Sequence, residues 1–186
     1  MKLARPSAGF LAACLLLSGC AGSEAPSANL SSDASPSSET SVEEGRFFTP
    51  APGLAFSEPP PGTAGILDRF IDPANQVAPT ASMTVRQFSA GTAQGLTALV
   101  RFAKPLTPKE ADDATQGLLA GLGASGAAVT NMSKESGQTI YSVLLVKQGM
   151  TLAFWLGTDF ESFSASADAP SSLAVSRLLV TRTAGQ

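Results

Sequence analysis

Beyond residue 20 the chain contains neither a cysteine nor a histidine. A fold built after that point has no disulfide to close its loops and no thiolate or imidazole to hold a structural metal. It must be held by buried apolar surface and hydrogen bonds alone. Hydrophobic residues make up 44% of the 186, enough for one core, although much of that share is alanine, which buries little area. The same absences narrow the chemistry. Without histidine there is no Ser–His or Cys–His arrangement, and the commonest general base and metal ligand are missing. No catalytic set, metal set or cofactor is expected. The formal net charge is −3 and no run of Lys or Arg occurs, which argues against nucleic-acid binding.

The two cysteines, Cys14 and Cys20, lie in an apolar N-terminal region. Residues 1–20 read MKLARPSAGFLAACLLLSGC, with Lys2 and Arg5 ahead of an apolar run over 8–17. That run is about half the roughly 20 residues a spanning helix needs. It fits the h-region of a signal peptide. Small residues then precede a cysteine at Leu17-Ser18-Gly19-Cys20. This resembles the lipobox of bacterial lipoprotein precursors. The resemblance implies cleavage between Gly19 and Cys20 and a diacylglyceryl group on Cys20, whose two acyl chains give the stable attachment that a single chain does not. It places the protein on the outer side of a cell membrane, and Ala21 would permit sorting to an outer membrane if the host has one. With residues 1–19 removed, ten basic residues face fifteen acidic ones, a net charge of −5.

Residues 20–45 follow as a Ser-, Ala-, Pro- and Glu-rich tether with almost nothing to bury. Residues 46–62, RFFTPAPGLAFSEPPPG, form a Pro-rich lead-in whose Phe47, Phe48, Leu54 and Phe56 can pack on the domain. The domain proper spans 63–186. Thr63 can cap a short helix with Ile66, Leu67, Phe70 and Ile71 on one stripe and Pro73 ending it. Strands are expected at 81–89 and 95–104, the second alternating Leu96, Ala98, Val100 and Phe102 with Thr97, Leu99 and Arg101. Thr107, Pro108 and Glu110 make a capping box for a helix that buries Ala111, Ala114, Leu118 and Leu122 and ends at Gly121 or Gly123. A strand at 127–133, a hairpin turning at Gln148-Gly149, and a strand through FESFSASA come next. Asp168 caps a last helix with Pro170 in its first turn and Leu173, Ala174, Arg177, Leu178 and Val180 at helical spacing. The strand–cap–Pro–helix pattern thus occurs twice. The order αββαββββα predicts an α+β fold: an antiparallel sheet with two to three helices packed on one face, a two-layer sandwich. This order resembles that of small lipoproteins of the PsbP-like class, a likeness of fold that implies no function.

Several motifs have plain structural readings. GLGASG, residues 121–126, matches G-x-G-x-x-G but follows a helix and precedes a strand, the reverse of a dinucleotide loop. Asp112 and Asp113 are adjacent on a helix, diverge by about 100° and cannot share a proton. Asp68 and Asp72 are too few to cage calcium. Ser133-Lys134 falls in a predicted loop. Phe154 and Trp155, with Tyr141 on a neighbouring strand, are the best candidates for a binding surface, although core packing accounts for them more simply. The sequence therefore predicts a membrane-anchored, non-enzymatic binding or accessory module. Its partner would be another envelope protein. A carrier or sensor of an apolar small ligand is the alternative, and a histidine-free hydrolase the least supported.

Overall fold

Local signals set up the sheet. Between residues 135 and 138 the chain turns through Ser136 and Gly137, both at positive φ (44° and 84°). Such a two-residue turn matches the right-handed twist of the strands it joins. In the computed structural model, which describes residues 45–67, 70, 78–184 and 186, seven strands form one antiparallel sheet. They are β1 (Leu54–Ser57), β2 (Thr80–Ala90), β3 (Ala93–Phe102), β4 (Ala128–Glu135), β5 (Gln138–Leu145), β6 (Met150–Leu156) and β7 (Phe160–Ser166). Their spatial order is β1-β2-β3-β7-β6-β5-β4. Two α-helices are described, α1 (Pro108–Ala124) and α2 (Ala169–Thr183). α1 links β3 to the far edge at β4, and the meander β4-β5-β6-β7 brings the chain back to pair with β3.

Both helix starts are as the sequence predicts. The Thr107 oxygen accepts from the Glu110 amide at 3.3 Å, and the Glu110 carboxylate accepts from the Thr107 amide at 2.7 Å. These bonds satisfy donors that a helix N-terminus leaves unpaired, and they hold the Glu110 carboxyl below its ordinary pKa. Asp168 accepts from the Ser171 amide at 3.0 Å. The end of α1 differs from expectation. The helix continues past both glycines to Ala124, and Gly126, at φ 86°, supplies the left-handed residue after the cap.

The packing corrects the two-layer expectation. Along β3, Ala98 and Val100 share a cluster with Leu118 and Leu122 of α1, whereas Leu99 between them packs with Val175 and Leu179 of α2. On β6, Phe154 joins the first cluster and Trp155 the second. Successive strand residues point to opposite faces, so the helices cover opposite faces rather than one. The physical reason lies in serine. On β7, Ser162, Ser164 and Ser166 are fully or nearly fully buried, as are Ser172 and Ser176 on α2. Short hydroxyls let the helix lie close to the sheet. Ser176 donates to the Ala153 carbonyl, Ser172 to that of Thr151, each at 3.2 Å, and Thr97 pairs with Ser164 at 2.9 Å. Read as polar, these serines conceal a second buried face. They also shift the α2 stripe: Ser172, Val175, Ser176, Leu179 and Val180 are buried, while Ala174 and Arg177 are exposed.

The lead-in packs as expected and adds an edge strand, β1. Phe47 and Phe48 are buried against the α2 face, and Arg182 of α2 donates to the carbonyls of Phe47 and Thr49 at 2.5 and 2.7 Å. The expected helix after Thr63 opens with a 3-10 turn, Ala64–Ile66, and Phe70 is helical; residues 68–69 and 71–77 lie outside the described residues. There the Thr63 hydroxyl donates back to the Pro60 carbonyl instead of capping forward. Leu67 and Phe70 are buried, Ile66 is exposed, and Ile71 and Pro73 lie outside the described residues.

Candidate functional site

Two glycines sit inside α1 where alanine would make a better helix. Each costs roughly 1 kcal/mol of helix propensity relative to alanine. Gly117 and Gly121 are four residues apart, so they lie one above the other on the same face. A Cβ built at either would meet no atom within 4 Å. The space they leave is a cleft of about 400 Å³ between the C-terminal half of α1 and the turn joining β5 to β6. That size lies within the range of small-ligand sites.

Each wall follows from a local feature. Leu118 and Leu122 are buried neighbours of the glycines and continue into the core. Phe70 and Leu145 complete the apolar lining. The opposite wall is a 3-10 turn, Val146–Gln148, closed by Gly149 in the left-handed conformation at φ 62°. Val146 lines the cleft and is 62% exposed, a large apolar side chain without cover. Ser125, Lys147 and Gln148 line the cleft with polar groups, and Lys147 is the one charged residue among its described lining. Three carbonyls of the adjoining helix end are already satisfied. The Leu122 carbonyl accepts from Ala127 and from the Ser125 hydroxyl, and those of Gly121 and Gly123 from Ser125 and Gly126.

A second unusual group lies on the α1 face of β7, away from the cleft lining. Glu161 is fully buried beside Val100 and Leu156, its cross-strand partners. Among the described residues neither carboxylate oxygen has a hydrogen-bond partner. Burial pushes its pKa up to about 8, so at neutral pH it is held mainly as the uncharged acid.

The aromatic trio does not form one surface. Phe154 and Trp155 are both buried, on opposite faces of the sheet. Tyr141 is half-buried and stacks on Phe154 with ring centroids 5.4 Å apart, within the α1-side core. The alternation that separates Phe154 from Trp155 is as expected; the second face they reach is covered by α2 rather than open. Gly19 and Cys20, like Asp68 and Asp72, lie outside the described residues. Ser133 and Lys134 are not in a loop but on β4, where neighbours point apart, so they make no nucleophile–base pair. Lys109 pairs with Asp113 one turn along α1. Among the described residues no three His, Cys, Asp or Glu side chains gather as a metal site, and no helix is long and apolar enough to cross a membrane. The cleft itself escaped the sequence reading. Its visible signal is the pair of helix-interior glycines, of which the sequence reading takes Gly121 only as a possible helix end and does not single out Gly117.

No family model, curated protein or solved structure matches this chain.

Proposed function

We propose that this chain is a cell-envelope lipoprotein, anchored through a diacylglyceryl group on Cys20, whose folded domain is a non-enzymatic module that binds an apolar small ligand between α1 and the β5–β6 turn. The cleft carries the ligand part of this reading. It combines an apolar floor, a polar rim and two glycines whose missing side chains keep it open. A flat aromatic docking surface for another protein has less support, because Phe154 and Trp155 are buried. The anchor rests on the Leu17-Ser18-Gly19-Cys20 pattern.

Both parts are testable. Cys20→Ala should abolish metabolic labelling with palmitate and leave the precursor uncleaved or released; a variant still labelled and membrane-bound refutes the anchor. Fluorescence titration of the mature chain with the apolar dye N-phenyl-1-naphthylamine should show saturable binding. Gly121→Leu, which fills the cleft, should abolish it, and Gly121→Ala should largely preserve it. Unchanged dye binding by a folded Gly121→Leu chain would refute the cleft as the site.

A further inference from the structure

We infer that the ligand of this cleft is a single-chain anionic amphiphile, a linear aliphatic tail ending in a carboxylate-type head held by Lys147. This rests on the apolar-ligand reading above and names the class of molecule. The tail follows from the shape of the lining. Gly117 and Gly121 open a slot along the helix, floored by Leu118, Leu122 and Leu145. Residues four apart on a helix lie one above the other along its axis, so the slot runs lengthwise along α1, as an extended alkyl chain would lie.

The head follows from charge. Lys147 is exposed, lines the cleft and makes no ion pair among the described residues. No Asp or Glu is among the described lining residues, so nothing there offsets its positive charge. The C-terminal end of a helix ordinarily repels anions. Here the carbonyls of Gly121, Leu122 and Gly123 already accept hydrogen bonds from Ser125, Gly126 and Ala127, which blunts that repulsion. The Gln148 side-chain amide, beside Lys147 on the same turn, offers a second donor to a carboxylate. An exposed ammonium steers and selects more than it binds. Its attraction for a carboxylate in water amounts to about a fivefold change in affinity, and the tail supplies the rest at about fourfold per buried methylene.

Isothermal titration of the mature full-length chain with decanoate, decanol and decyltrimethylammonium, each below its micelle concentration, separates head from tail. Decanoate should bind about tenfold or more tightly than the ammonium, with decanol between them. Lys147→Ala should weaken decanoate about fivefold and leave decanol unchanged, and Lys147→Glu should reverse the order of the two ions. Equal binding of all three, or an order that survives Lys147→Glu, overturns the anionic head and leaves the apolar cleft standing. Failure of all three to bind, with dye binding unaltered by Gly121→Leu, overturns both.

Discussion

Replacing Glu161 with glutamine should make the domain more stable at alkaline pH and flatten its response to pH. The carboxyl is fully buried, flanked across the sheet by Val100 and Leu156, and neither oxygen has a partner among the described residues. Burial disfavours its charged form and pushes its pKa from an ordinary 4.5 to about 8. Between those values the folded state keeps a proton that the unfolded chain releases. Stability from this group is therefore fully present below 4.5, falls as pH rises through the window, and levels off above about 8. At 1.36 kcal/mol per pH unit, the loss between pH 5 and pH 7 is about 2–3 kcal/mol, and the plateau lies about 4 kcal/mol below the pH 5 value. Glu161→Gln keeps the size and removes the charge. Its unpaired amide should place it slightly below the parent near pH 5, and it should exceed the parent by about 2–3 kcal/mol at pH 8. Trp155, the single tryptophan and buried in the α2-side core, reports unfolding directly. Urea titrations of the mature chain carrying Cys20→Ser, at pH 5, 6, 7 and 8, would measure both proteins. Parent stability that is flat or rising across this range, or a glutamine variant whose curve runs parallel to the parent's, would refute the argument.

Two further substitutions test the fold. Thr107→Ala removes one half of the capping box on α1 and should cost about 1 kcal/mol, while Thr107→Asp should retain most of the stability; denaturant midpoints of the two against the parent decide it. Gly95→Ala places a Cβ 2.4 Å from the Ala165 carbonyl oxygen and 2.4 Å from the Phe88 ring, which lies directly across from Gly95 on β2. A paired backbone cannot give way as a flexible side chain can, so a loss of about 2–3 kcal/mol or a failure to fold is expected, and a normal melting temperature would show that the β2–β3 register is different.

Where local chemistry suffices, the sequence is legible. Thr107, Pro108 and Glu110 announce the start of α1, and Asp168 with Pro170 that of α2, because capping involves residues three apart and needs no distant partner. Alternation locates β3, and the turn at Gln148-Gly149 is legible because Gly149 must adopt positive φ. The buried stripe of α1 is legible through Ala111, Ala114, Leu118 and Leu122, whose apolar character and burial agree. On α2 the stripe is displaced, because burial there falls on Ser172 and Ser176, whose hydroxyls are satisfied by the Thr151 and Ala153 carbonyls of β6, a strand about twenty residues earlier. No local pattern marks a serine whose partner is that remote, so only the tertiary structure shows that both faces of the sheet are covered. Glu161 is a similar case: in FESFSASA it reads as an ordinary solvated acid, and its burial is decided by strands β3 and β6 on either side. The cleft depends still more on assembly. Gly117 and Gly121 weaken a helix wherever they stand, but they open a site only because the β5–β6 turn, with Lys147, is brought opposite them by pairing between strands.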